Sequence, residues 1–334
     1  MKIFITGIAG FLGSHIAEAM LNEGHEVLGC DNLIGGYLEN VPDEATFYQI
    51  DAKYLNSMNK LLKDVDIIYH TACTAYEGLS VFSPHLIVQN TVLTTTTVAS
   101  AAISQGIKRI VNCSSMARYG TQEKIPFTED MIPAPQDPYG ISKLSAEHLL
   151  NCLSQVHNIE IVHAVPHNII GPRQKYDDPF RNVASIMINM MLQGRQPIIY
   201  GDGNQKRCFS FVQDDIDCLK KLAFLPEVVG EVINIGPDDE FITINELAET
   251  IADLINFKLN PVYMPDRPQE VKMATCSADK ARKILGYETK YTLRQGLQEM
   301  INYIQKRGPK KFRYHLDIEI VNDKTPKTWL NKMF

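Results

Sequence analysis

The sequence predicts a doubly wound parallel α/β sheet with a smaller C-terminal α/β domain, and three observations carry that prediction. Short β-branched runs alternate with longer amphipathic segments through the first two-thirds of the chain. A glycine-rich turn joins the first run to the first amphipathic segment, and beyond Asn168 the alternation loosens into Pro- and Gly-interrupted loops. In order, KIFIT, HEVLGCD, DIIYHTA, RIVNCS and EIVHAVP read as strands, with FYQIDA as a further short one. FLGSHIAEAMLNEG, YLNSMNKLLKD, TVLTTTTVASAAISQG and GISKLSAEHLLNCLSQ read as the helices between them. Alternating strands and crossover helices pair in parallel, and their ligands gather beyond the carboxyl ends of the strands. Residues 1–168 are therefore assigned to the sheet domain, with a return near 209–236, and residues 169–307 mainly to a ligand-binding domain. Residues 308–334, polar and interrupted by Pro, read as a surface appendage or partner-contacting tail.

Composition narrows the chemistry. A chain of 334 residues that is 45% hydrophobic can bury a large core. Its net charge of -6 is spread along the sequence, which argues against a nucleic-acid groove or a polybasic membrane patch. Seven scattered cysteines without a C-x-x-C pair read as reduced core residues of a cytoplasmic protein, with no metal or disulfide framework. MKIFITGIAG enters a strand directly, without a basic leader, and no apolar run approaches the roughly 20 residues of a membrane span.

TGIAGFLG places Gly7, Gly10 and Gly13 at three-residue spacing between the first strand and the first helix. Gly7 permits the turn, Gly10 lets the backbone approach a pyrophosphate, and Gly13 lets helix and strand pack closely, with the helix N-terminus facing the phosphates. The second strand ends at Asp31 and Asn32, where a carboxylate accepts hydrogen bonds from an adenosine ribose. A negative charge there repels the extra phosphate of NADP, so NAD is the expected cofactor. Asp51 fits either the adenine edge or a strand-end cap.

The next strand ends in NCSSMARYG, with Ser114 and Ser115, and YGISK follows with Tyr139 and Lys143 one helical turn apart on one face. A phenol normally titrates near pH 10; a neighbouring ammonium and the cofactor's positive charge favour the phenolate and make it a usable base. Ser115 can hydrogen-bond the same substrate hydroxyl.

These motifs resemble the extended short-chain dehydrogenases/reductases that act on nucleotide sugars, the UDP-glucose 4-epimerase type in particular, which carry a Rossmann-type domain. The resemblance runs to about Arg307 and rests on TGIAGFLG, Asp31-Asn32, HTA at 70–72, Asn90, SSMARYG, YGISK and HNIIGPRQ. It extends through YGDG with Arg207, NIGPDD, and RPQEVK with Arg267. It implies Tyr139 as the base, Ser115 as its helper and Lys143 on the nicotinamide ribose. It also implies cofactor contacts along Phe11, Leu12, Ala52, Ala72, Asn90 and Pro166. Asn168, Arg207 and Arg267 match the family's contacts to the substrate pyrophosphate and uridine side; arginine suits phosphate because its fork pairs two oxygens at once. For each arginine a structural salt bridge is the alternative.

The resemblance also implies what Met116 and Ala117 exclude. Sugar 4,6-dehydratases carry Asp and Glu at these two positions, and decarboxylases carry Glu at the second. Neither Met116 nor Ala117 moves protons, so redox at C4 of a nucleotide sugar remains: a 4-epimerase using NAD, a UDP-sugar as default substrate and a homodimer as the family's usual assembly. The same residues serve a 4-dehydrogenase that releases an oxidised product, and a non-catalytic NAD-sensing protein is the remoter alternative. Arg118 departs from the family pattern and reads as a solvated loop charge or a contact to an acidic substrate; Ser277 stands where the family commonly has Asp. Ala274 aligns with a bulky aromatic of some epimerases, which implies room for an N-acetyl group.

Overall fold

The computed structural model describes residues 1–334. Seven parallel strands form one sheet, in the order Val232–Ile235, Glu160–Pro166, Arg109–Cys113, Ile67–His70, Lys2–Thr6, Glu26–Cys30 and Thr46–Tyr48. The strand order reverses beside Lys2–Thr6, whose neighbours are Glu26–Cys30 on one side and Ile67–His70 on the other. Chains leaving these two neighbours diverge, and the crevice between them opens at the glycine turn.

The period of two along each strand decides what each face meets. Ile3 and Ile5 point into a core with Ile16 and Met20 of the helix Phe11–Asn22 and with Ile216 and Leu219 of the helix Val212–Leu222. Phe4, between them, joins Met58, Val98, Ala101 and Leu150 on the opposite face. Both faces are covered, which is why the strands read as continuous apolar runs.

The return near 209–236 supplies the helix Val212–Leu222 and the edge strand Val232–Ile235. A second return was not expected: Ala278, Ala281 and Leu285, from the start of the helix Asp279–Leu285, belong to the sheet-side core. The ligand-side domain is built on the helices Val183–Leu192, Ile244–Leu254 and Leu293–Arg307, which share one apolar cluster. Thr243 with Glu246, and Thr292 with Gln295, form capping boxes that set the start of the latter two.

Three expectations need correction. The tail 308–334 is docked: Trp329 and Phe334 are buried, and Phe312, Tyr314, Leu316 and Ile318 pack beside them. Polar composition hid this because the apolar residues fall at irregular intervals without a helical or strand period. Secondly, the 21-residue helical run Pro84–Ser104 is long and apolar enough to cross a membrane, with mean hydropathy 1.3 over an 18-residue window, yet 56% of that window is buried within the fold. Its threonines hid it from inspection of charges; Thr94, Thr95 and Thr96 return their hydroxyls to carbonyls one turn back. Thirdly, the cysteines are all free, but Cys152 is exposed and Cys73 half-buried.

Candidate active site

Every residue singled out as a cofactor, catalytic or substrate contact lines one cleft of about 420 Å³ between the sheet's carboxyl edge and the second domain. Its floor is the glycine turn. Gly7 has φ +77°, and a Cβ on Gly13 would stand 2.2 Å from the Gly7 carbonyl oxygen, so the helix starts as close to the turn as backbone permits. Gly10 occupies the N-cap of Phe11–Asn22 without a side-chain cap, leaving the first-turn N–H groups to a ligand. Asp31 is buried at the rim; its carboxylate accepts from the Ala9 N–H at 3.1 Å and the Leu33 N–H at 2.7 Å, and burial raises its pKa. Asp51 accepts from the Asn32 amide at 3.0 Å and from the Lys53 N–H at 3.1 Å, and pairs with the Lys53 ammonium at 3.2 Å, so it ties the two rim loops together. The bare helix N-terminus, the cradle that a Cβ would fill and the rim carboxylate fit a dinucleotide with unphosphorylated ribose. Asn90 donates to Thr74 at 2.8 Å from a π-helical turn, Gln89–Leu93, which re-aims the helix toward the cleft.

The catalytic pair stands deeper. Asp137 caps the helix Pro138–Val156, accepting from the N–H groups of Tyr139 and Gly140 at 2.9 and 3.0 Å, and so fixes Tyr139 in the first turn. The Lys143 ammonium donates to the Cys113 carbonyl at 2.7 Å and lies 6.0 Å from the Tyr139 ring centre. Ser115 begins the turn Met116–Arg118, its hydroxyl accepting from the Ala117 N–H at 3.2 Å. Burial pushes Tyr139 well above the ordinary value, Cys73, Glu77 and Asp137 push the same way, and the Ser115 hydroxyl opposes them.

At the second-domain end, Arg207 donates to the carbonyls of Lys206 at 2.8 Å and Val271 at 2.6 Å and has no carboxylate partner. Burial lowers its pKa, against the pull of the Glu77 and Glu270 carboxylates, neither of which reaches it as a direct ion pair. Arg267 pairs with Glu270 at 3.0 Å and rests on the Tyr200 ring at 4.6 Å. Asn168, in the left-handed region at φ 47°, donates to the Cys208 carbonyl at 2.9 Å.

Arg118 is neither a solvated loop charge nor a substrate contact. It is buried, pairs with Glu147 at 3.0 Å and lies over the Tyr119 ring, while Ser114 donates to the same Glu147 carboxylate. Ser114 is thus a support of the turn that carries Ser115. Arg118→Ala should cost about 3 kcal/mol by leaving Glu147 buried and unpaired. Burial already raises the Glu147 carboxyl, which destabilises the fold as pH rises through its ionisation. Urea denaturation should therefore show the variant's deficit growing from about pH 5 to about pH 8. Ala274 also departs from expectation: it packs with Tyr119, Phe127, Val271 and Cys276, off the cleft. Room for an N-acetyl group cannot be read from it.

Two charged residues of the cleft were missed from the sequence. Arg181, half-buried, lies over the Tyr76 ring and donates to the Gly35 carbonyl at 2.9 Å, with its Nε unpaired. Glu77 lines the cleft with its side chain open to it, and the protein packed around that opening, with Asp137, raises its carboxyl to about 6 against the pull of Arg207 and Arg267. Neither lies in a motif; what could have flagged Glu77 is a lone acid directly after the apolar-small run HTACTAY.

A sequence profile of the NAD dependent epimerase/dehydratase family matches residues 3–236. The chain belongs to this family. Among relatives of this family member, a UDP-glucose 4-epimerase of Mycolicibacterium smegmatis is 30% identical over 317 residues, covering 92% of this chain and all of the relative. The crystal structure of a Thermotoga maritima UDP-glucose 4-epimerase with UDP-glucose superposes with a TM-score of 0.86 at 29% identity, over 92% of this chain and 99% of that one. A Thermus thermophilus UDP-glucose 4-epimerase in complex with NAD superposes at 0.84 with 26% identity, over 91% of this chain and 99% of that one. The family member's cofactor is NAD, in agreement with the rim carboxylate at Asp31.

Proposed function

We propose that the protein is an NAD-dependent 4-epimerase of a nucleotide sugar, with a UDP-hexose as the first substrate to try. The observation that carries this reading is one cleft holding Tyr139, Ser115 and Lys143 between the glycine turn and two arginines, Arg207 and Arg267, at the far end. Bound NAD supplies a reversible hydride acceptor. Tyr139 takes the proton from the sugar C4 oxygen and later returns it, with the Ser115 hydroxyl holding that oxygen. Arg207, Arg267 and Asn168 hold the diphosphate, so the sugar can turn over as a 4-ketone without leaving, and the opposite C4 face is then presented for reduction. Met116 and Ala117 stand beside Ser115 with no ionisable group, so the ketone is not diverted to elimination or decarboxylation.

The test is incubation with UDP-glucose, UDP-galactose and their N-acetyl and uronic acid forms, followed by NMR. Interconversion of 4-epimers without added NAD supports the reading; accumulation of NADH with a released ketone makes the protein a 4-dehydrogenase instead. A homodimer in the cytoplasm is part of the same proposal. Its support is an exposed apolar set on two neighbouring helical runs, Val88 and Leu93 with Ile141 and Leu149. Light scattering reads the mass.

Glu77 gives the site a pH dependence. Its carboxyl ionises near 6, and once charged it opposes a phosphate anion near Arg207 and Arg267. Glu77→Gln should therefore leave UDP affinity unchanged at about pH 5 and tighten it about threefold to tenfold at about pH 7.5, measured by calorimetry against the wild type.

A further inference from the structure

The tail 308–334 is the part of the chain that the family reading does not use. The Mycolicibacterium smegmatis relative is covered over its full length by 92% of this chain, and the last motif that carries the family resemblance, RPQEVK, ends at Lys272. Yet the tail is fastened at both sides of the cleft. On the second domain, Asn189 and Lys310 exchange hydrogen bonds at 2.9 and 3.0 Å, and Arg195 donates to the Met333 carbonyl at 2.6 Å. On the sheet domain, Ile320 donates to the Phe82 carbonyl at 2.8 Å, and the Glu319 carboxylate accepts from the N–H groups of His85 and Leu86 at 3.0 and 2.8 Å. Ordering about 27 residues of chain costs far more than these hydrogen bonds return, and the apolar burial of Trp329 and Phe334 is what offsets it.

Two contacts carry the tail into the nucleotide end. Phe334 lines the cleft itself, in one apolar cluster with Ile198 and Phe180. Thr328 shares a hydroxyl–hydroxyl hydrogen bond of 2.5 Å with Tyr200, and Tyr200 is the ring on which Arg267 rests. A tyrosine held at its hydroxyl cannot swing, so the guanidinium above it is held as well.

We infer that Phe334 is a substrate-binding residue for the nucleoside end of the nucleotide sugar, and that Thr328 positions Arg267 through Tyr200. An aromatic side chain in the same cleft as Arg207 and Arg267 suits a flat base followed by a diphosphate. This inference rests on the nucleotide-sugar reading of the cleft and names, within it, a wall that the relatives' shared core does not supply.

The test is calorimetric titration of the purified protein with UDP, for the wild type, Phe334→Ala, Thr328→Val and Thr328→Ser. The chain's single tryptophan, Trp329, lies in the tail, and its emission reports whether the tail stays docked in each variant. The expected results are at least about fivefold weaker UDP binding in Phe334→Ala and about threefold weaker in Thr328→Val, with restoration in Thr328→Ser. Buried-type emission and NAD content should be retained in all three. UDP binding by the wild type that is unchanged in both Phe334→Ala and Thr328→Val overturns the assignment of the tail alone. No UDP binding by the wild type overturns the reading of the cleft, and this assignment with it.

Discussion

Tyr139→Phe should lower turnover by about three orders of magnitude while the protein keeps its NAD. General acid–base catalysis by a positioned group contributes about 100- to 10,000-fold, and no second group in the cleft can take its place at the C4 oxygen. The Ser115 hydroxyl is a donor and acceptor but not a base near neutral pH, and Lys143 is engaged with the Cys113 carbonyl. The substitution removes one oxygen from a ring that packs among Ala117, Phe180 and Ile186, so the fold should be untouched. Single-turnover measurement of C4 exchange, beside cofactor content determined after denaturation, separates the two effects. Near-normal turnover would remove Tyr139 as the base.

Gly13→Ala should do the converse and abolish cofactor binding. The added Cβ would stand 2.2 Å from the Gly7 oxygen and 2.9 Å from its carbonyl carbon, both backbone atoms, with Thr71 Oγ1 at 3.0 Å. No rotamer relieves such a contact; the helix must move from the turn, at a cost of about 2–3 kcal/mol. Because the first-turn N–H groups that would hold a pyrophosphate move with it, NAD loss should exceed what the stability change explains. Calorimetric NAD binding and thermal unfolding check the two parts, and NAD binding retained at the wild-type level sinks the close-approach account of Gly13.

The cofactor half of the site was legible because its chemistry lies in short, contiguous stretches. Three glycines, a strand-ending acid and a Tyr-Lys pair at helical spacing each derive their meaning from neighbours within a few residues. The substrate half was less so. Arg207 and Arg267 were found only through resemblance, since nothing local distinguishes an arginine pointing at a ligand from one in a salt bridge. Arg118 shows the limit: its sequence context is a loop beside the active serines, and its partner Glu147 lies on the next helix, 29 positions away.

What the sequence determined by itself was the alternation of the parallel sheet, the place of the glycine turn and the expectation of NAD. These follow from backbone periodicity and local sterics. Only the tertiary structure decided that Asp279–Leu285 returns to the sheet, that Arg118 serves a buried ion pair, that Glu77 opens into the cleft, and that Phe334 of the tail lines it. Each of these depends on contacts between segments far apart in the chain, and on the desolvation that follows from them. A one-dimensional pattern carries no measure of either.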